Sequence, residues 1–328
     1  MKIARILIDL SHQGGCAVLK LQPQNELRFK SERMKKIYKS RYLYLMVAPA
    51  MLILLVFSYG PMPGLVMAFQ NFSIFRGFFK SEWVGLENII TIFTQPQFTQ
   101  AIFNTVLVSV MILVLTFPAP IILALLINEV KNKFFKRFVQ TASYLPHFLS
   151  TLSVVGLVQM LFGRDGLIND MMLALGADER VNFLAQQKNF VWFLVGTNLW
   201  KEVGWSTIVH LANLTSINPD LYEAADIDGA GYFAKLRYIT IPHMLPTIVI
   251  LLIFQMGKLF SSNFDLVYGL QNPFIDFEVI STIIYQTGIQ NGNYSVSTAI
   301  GFVEGLVALA LVLGTNKIAK TVSDSGLL

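Results

Sequence analysis

The chain has 328 residues, of which 54% are hydrophobic, 12% aromatic and only 14% charged. Soluble domains carry about 25% charged residues, so this balance excludes a water-soluble enzyme of this length and marks an integral membrane protein. The single Cys16 excludes a disulfide framework and Cys-rich metal or iron–sulfur sites, and the net charge of +5 suggests nucleic acid only until the charges are located.

Residues 1–41 form a basic N-terminal extension. Gln13-Gly14-Gly15-Cys16 faintly resembles a lipoprotein signal, but Asp9 and His12 interrupt a very short apolar stretch. A cytoplasmic extension with a short amphipathic helix is therefore expected, not a cleaved leader. A spanning helix needs about 20 mostly apolar residues. Six segments qualify, at 42–69, 101–127, 138–162, 190–214, 243–263 and 296–315. Only helices and closed barrels satisfy the backbone in lipid, and the two-residue alternation of a barrel is absent. The expected fold class is an all-α integral membrane protein, a bundle of six transmembrane helices over 42–320 with a tail at 321–328.

Gly60-Pro61-Met62-Pro63-Gly64 interrupts the first span, and Pro118 and Pro120 interrupt the second. Proline removes a donor and clashes with the preceding turn. Such breaks serve either as packing kinks or as part of a substrate path. Gly301-x-x-x-Gly305 in the last span reads as a close helix–helix contact.

The loop 215–242 is the most informative segment. Asn218 suits an N-cap and Pro219 the first helical position. Asp220 favours the positive end of the helix dipole, and Gly229 can end the helix in a left-handed conformation. A short helix is expected there, followed by a second at about 231–240 that runs to Pro242. Glu223, Asp226 and nearby Asp220 fall along one side, and small Ala224 and Ala225 permit close approach. A docking helix and a merely solvated connector remain equal readings.

Loop charge sets the orientation. Segments 1–42, 129–137, 215–242 and the tail after 315 carry eighteen Lys and Arg, the opposite loops five. Both termini and the loop 215–242 are thus expected in the cytoplasm. The basic run 28–41 then reads as an anchor for anionic lipid, not for nucleic acid. No phosphate loop, H-E-x-x-H or G-x-S-x-G occurs. The histidines His12, His147, His210 and His243 are scattered, so the chain is expected to have no catalytic site, no metal and no cofactor of its own. Energy must come from an ion gradient or from a separate subunit.

Glu223-Ala224-Ala225-x-x-Asp228-Gly229-Ala230, followed by Ile239-Thr240-Ile241-Pro242, resembles the EAA loop of permease subunits in binding-protein-dependent carbohydrate ABC importers. The Glu-to-Pro spacing also fits. Leu236 stands where many members have an aromatic residue, and Ile241 where leucine is usual. Trp200-Lys201-x-x-Gly204-Trp205, Phe264-Asp265 with Gln271-Asn272-Pro273, and Gly292-Asn293-Tyr294-Ser295 resemble the oligosaccharide branch, which includes alginate, maltose and lipo-oligosaccharide permeases. The likeness covers about residues 40–320.

The resemblance implies a subunit of the bacterial inner membrane that pairs with a second, homologous permease. It also implies a dimer of cytoplasmic ATPase subunits, which bind the ATP and Mg, and a periplasmic solute-binding protein that delivers an oligosaccharide. Glu223, Ala224, Ala225, Asp228, Gly229 and Ala230 would form the coupling joint to the ATPase. Candidate sugar contacts are Asn198, Trp200, Lys201, Lys258, Asn263 and Asp265, since ionisable residues in spans usually face a cavity or a partner and aromatic plates suit sugar rings. Lys201 has a second reading, as the partner of an acid such as Glu304. If Lys201 and Lys258 both line the cavity, an acidic, alginate-like oligosaccharide is expected. The competing class is a self-contained secondary transporter or channel, for which Asp265 and Glu304 are the tempting acids.

Overall fold

The computed structural model describes residues 38–260 and 263–322. The expected amphipathic helix near the N-terminus, most of the basic run 28–41 and most of the tail 321–328 lie outside the described residues. The chain divides into two units, 1–63 and 64–328.

The described part of the first unit is helical. The helix Arg41–Leu54 widens into a π turn over Leu55–Tyr59, immediately before Pro61. The described residues of the second unit are mostly helical, with a ladder of two-residue strands, Gln70–Asn71 and Glu82–Trp83, paired antiparallel. Five helices among the described residues are long and apolar enough to cross a membrane: Arg41–Phe69, Pro96–Glu129, Thr151–Ala174, Tyr232–Gly257 and Tyr294–Lys320. The segment expected as the fourth span is a helix of 29 residues, Gln187–Thr215. At 1.5 Å per residue it is about 43 Å long, but Asn198, Lys201, Glu202, His210 and Asn213 make it the most polar of the long helices.

Three of the prolines interrupt helices in the same way, whereas Pro49 and Pro246 lie inside continuous helix. A five-residue π turn precedes Pro61, Pro118 and Pro242, at Leu55–Tyr59, Ile112–Thr116 and Leu236–Thr240. In each case the turn ends two residues before the proline. Gly60 N–H reaches Leu55 O at 2.8 Å and Phe117 N–H reaches Ile112 O at 3.1 Å. The wider ring shifts the hydrogen-bond register, so the missing proline N–H falls where a helix starts anew.

Five expectations need correction. The third span does not run over 138–162. Lys133–Tyr144 is capped by Asn132, whose side chain accepts from Phe134 and Phe135 N–H, and it gives way to a 3-10 turn at Leu145–Phe148. A new helix, Thr151–Phe162, starts from Ser150, whose hydroxyl accepts from Ser153 N–H. The second short helix at 231–240 is not separate, because Tyr232–Gly257 is continuous through the π turn before Pro242. The fifth span ends at Gly257, not Asn263, and the last helix continues to Val322. Finally, Gly301 and Gly305 make no close backbone contact. A Cβ at Gly301 would meet only Ile284 Cδ1 at 3.9 Å, and at Gly305 nothing within 4 Å.

The close approach occurs elsewhere. Gly204 in Gln187–Thr215 abuts the backbone of Ser143 and Tyr144 at the end of Lys133–Tyr144. Below that contact, Ala124, Ile127, Leu211, Leu214, Ile217 and Met244 form a buried cluster that carries the loop 215–242.

Candidate functional site

The expected docking helix is present as Pro219–Ile227, with Pro219 in its first turn. Asn218 Oδ1 accepts the Asp220 N–H at 3.1 Å, as an N-cap should. At the other end Asp228 N–H reaches Ala224 O and Ala230 N–H reaches Ala225 O at 2.8 Å. Gly229 closes the turn at φ +75°, with open space where a Cβ would go. The glycine is therefore needed for its backbone angle and not for room.

Glu223, Ala224, Asp228 and Gly229 are exposed, and Ala225 and Ala230 are half-buried. The acidic side is less acidic than the sequence suggests, because Lys235 forms an ion pair with Asp226. Glu223 and Asp228 keep their charge free of partners among the described residues. Two features were not read from the sequence. Tyr222 packs on the buried cluster and its hydroxyl lies 2.9 Å from Thr240 Oγ1, pinning the docking helix to the foot of the following span. Ile227, Phe233 and Tyr238 are largely exposed, so the loop 215–242 presents an apolar surface as well as charge. The inward set Tyr222 and Ala225, three apart, was the signal that could have found the pin.

The second site is a cavity of 610 Å³ among the segments 112–120, 147, 198–210 and 251–263. Asn198, Lys258 and Asn263 line it, as expected. Asn198 Nδ2 donates to Asn263 Oδ1 at 3.0 Å. Asn263 sits at φ +79°, a left-handed conformation that asparagine tolerates better than most residues. Lys258 follows the last turn of its helix as the C-cap, its backbone N–H donating to Gln255 O at 3.1 Å, and its side chain makes no ion pair or hydrogen bond among the described residues. The other three expected contacts lie elsewhere. Trp200 and Asp265 are not on the cavity wall. Lys201 donates to Thr151 Oγ1 at 3.0 Å and lies 3.9 Å from Glu202 Oε1, so its partner is not Glu304.

Residues missed in the sequence complete the wall. His147 Nδ1 lies 3.0 Å from Glu202 Oε2, and its ring stacks on Trp205 with centroids 4.5 Å apart and planes 4° from parallel. Ser206, His210, Gln255 and Thr116 add polar groups, and Phe117 and Phe254 add aromatic faces. His210 Nδ1 and Thr116 Oγ1 are buried without a hydrogen-bond partner among the described residues. A wall that combines flat aromatic faces with unsatisfied polar groups suits a sugar ring, which is apolar on its faces and polar at its rim. Lys201 lies 3.9 Å from Glu202, whereas Lys258 has no ion pair among the described residues.

Comparison with known proteins is consistent over most of the chain. Residues 116–320 match the family described as the binding-protein-dependent transport system inner membrane component. The polygalacturonan/rhamnogalacturonan transport system permease protein YteP of Bacillus subtilis (strain 168) is 41% identical over 306 residues, covering 91% of this chain and 95% of that protein. Protein LplB of the same organism is 39% identical over 297 residues, covering 90% of this chain and 93% of its own length. A chain in the crystal structure of a bacterial ABC transporter involved in the import of the acidic polysaccharide alginate superposes with a TM-score of 0.81 at 39% identity, over 89% of this chain and 99% of that one. A chain in the crystal structure of a bacterial alginate ABC transporter in complex with an alginate pentasaccharide-bound periplasmic protein is 38% identical, again with a TM-score of 0.81. Helical membrane architecture, residue-level similarity and three-dimensional superposition agree, and the chain belongs to the family of binding-protein-dependent transport system inner membrane components.

Proposed function

We propose that this multi-pass membrane subunit passes an acidic oligosaccharide from a periplasmic binding protein toward the cytoplasm, through the 610 Å³ cavity. The observation that carries the substrate class is Lys258, a cation without an ion pair among the described residues, on a wall otherwise built for sugar. Relatives named for polygalacturonan/rhamnogalacturonan transport and for import of the acidic polysaccharide alginate support the same class. Lys258 is exposed at the cavity, and a charged side chain beside an apolar span usually serves a cavity or a partner. A passing uronate carboxylate would pair with Lys258, with Asn198, Asn263 and Gln255 supplying hydrogen bonds and Trp205 a stacking face.

In this reading the chain has six spans, the polar Gln187–Thr215 helix being the fourth, and both termini are cytoplasmic. It pairs with a second, homologous permease and docks on two ATPase subunits through Pro219–Ile227, with Glu223, Ala224, Ala225, Asp228, Gly229 and Ala230 at the joint. ATP binding draws the docked helices together and rocks the two permeases between discrete packings, opening the cavity outward. Hydrolysis in the partner subunits resets it. No nucleotide chemistry is assigned to this chain.

The test is to purify the assembly from native membrane, reconstitute it with its binding protein, and measure ATPase stimulation and uptake over neutral and acidic oligosaccharides. Lys258→Met should reduce uptake of acidic oligosaccharides at least tenfold, about 1.4 kcal/mol of lost binding, while Lys258→Arg retains most of it. Equal transport of neutral and acidic sugars by the wild type would overturn the substrate class. Uptake by this chain alone would overturn the importer reading.

A further inference from the structure

The segment 70–95, between the first two apolar helices, has no part in the cavity or the coupling loop, yet it is a built structure. Phe72 N–H donates to Ser295 Oγ at 2.8 Å, and its ring packs against Phe78 at 5.2 Å and edge-on to Tyr294 at 6.4 Å. Ser81 Oγ donates to Gly77 O and accepts from Ser73 N–H, and Gln70 Nε2 donates to Phe78 O, closing the turn around Gly77 at φ +68°. The helix Glu87–Thr94 follows, fastened by Asn88 Nδ2, which donates to Ala68 O and Gln70 O at 3.0 Å. Ile89 and Ile92 face inward, onto a cluster with Phe98, Ala101 and Ala299.

These fastenings hold a second set of large apolar side chains outward. Phe75 and Phe79 are fully exposed, and Trp83, Leu86, Ile90 and Phe93 are more than half exposed. Residues 86, 90 and 93 share one face of a helix, turned about 100° around the axis from the inward isoleucines. Arg76 and Lys80 alternate with the two phenylalanines, and Glu82 and Glu87 are the exposed acids of the segment. The segment begins where the apolar Arg41–Phe69 ends, is tied to the start of Tyr294–Lys320, and leads into Pro96–Glu129. Three apolar helices therefore reach their ends around it, at the level where hydrocarbon gives way to lipid head groups.

We propose that residues 72–94 are an interfacial collar, with Phe75, Phe79, Leu86, Ile90 and Phe93 inserted at the boundary between acyl chains and head groups of the surrounding bilayer. The covering surface is lipid because the segment joins the ends of apolar helices long enough to cross a membrane and exposes aromatic and basic side chains there. Aromatic and basic residues at helix ends favour that boundary, with Arg76 and Lys80 extending to lipid phosphates.

The experiment uses the assembled importer in phosphatidylethanolamine–phosphatidylglycerol liposomes, with Cys16→Ser and a single spin label at Phe79→Cys or Ile90→Cys. A label at Asp178→Cys, an exposed polar position, serves as the aqueous reference. Collision with a water-soluble nickel chelate should be several-fold lower at 79 and 90 than at 178, and collision with oxygen higher. As a check that leaves the phenylalanines in place, Trp83→Phe should remove a component of the fluorescence that brominated lipids quench. Aqueous accessibility at 79 and 90 equal to that at 178 overturns the proposal. So does protection that arises only when the solute-binding protein is added, which would make the collar a protein-docking surface. Neither readout depends on which sugar is carried.

Discussion

Gly204→Ala is the sharpest test of how the cavity is held. A Cβ at Gly204 would lie 2.0 Å from Ser143 O, 2.3 Å from Ser143 C and 2.8 Å from Tyr144 N. All three are backbone atoms of another helix, so no rotamer change can relieve the clash. Reaching ordinary van der Waals contact requires the two helices to part by about 1.5 Å. Glu202 and Trp205 flank Gly204, and both touch His147, at 3.0 Å through the carboxylate and 4.5 Å between ring centroids. The same displacement therefore opens the His147–Glu202 contact and the stack on Trp205. Overpacking costs about 1–3 kcal/mol, and a rigid backbone obstacle puts this case at the upper end. Gly196→Ala is the internal control, since it lies in the same helix with nothing within 4 Å of its added methyl, and it should be neutral or stabilising by about 0.5 kcal/mol. Thermal inactivation of the detergent-purified assembly and uptake in liposomes are the assays. Gly204→Ala should lower both, and Gly196→Ala neither. If Gly204→Ala matches the wild type in midpoint and uptake, the tight contact between these helices does not shape the cavity.

Three further outcomes concern the coupling loop. Gly229→Val places a β-branched residue at φ +75°, costing about 1–2 kcal/mol of local strain, and should leave ATPase turnover while abolishing uptake. Gly229→Asn, which accepts the left-handed region, should keep most uptake; equal transport by both variants would count against the backbone requirement. Tyr222→Phe removes the 2.9 Å contact with Thr240 Oγ1, a loss of about 1 kcal/mol, and should raise the ATP hydrolysed per sugar imported, measured by the two assays in parallel. Asp226→Asn breaks an ion pair whose carboxylate is 63% exposed. Such pairs contribute less than about 1 kcal/mol, so uptake should stay near the wild-type level, and a large loss would show that Asp226 itself contacts the ATPase.

What the sequence reveals of this molecule depends on whether the determining interaction is local. Asn218, Pro219 and Gly229 act within one helix, through a cap, a fixed φ and a left-handed turn, so the short helix Pro219–Ile227 is readable from residue types alone. Prolines 61, 118 and 242 are equally visible as places where a donor is missing. A missing donor does not say how the neighbouring carbonyls re-route, and the π turns that precede them belong to that re-routing. The third span was misplaced because a run of apolar residues hides its own punctuation. Pro146 and the capping Ser150 break the run, but hydropathy averages over them.

The cavity was the hardest part to read, since it is made by tertiary packing. Lys201 and Glu202 are neighbours in one polar helix, and the chain alone gives no reason for the cavity to receive the glutamate and not the lysine. Packing of Thr151 against that helix takes up the lysine, and His147, delivered by the 3-10 turn that the span reading missed, meets the glutamate. The glycines show the same limit. A small residue permits close approach, and both Gly204 and Gly301 permit it, but only at Gly204 does another backbone arrive to use the space. The cation at Lys258 was identifiable because a charge beside an apolar span needs a purpose, and its environment now gives that expectation a specific wall of residues on which to test an acidic sugar.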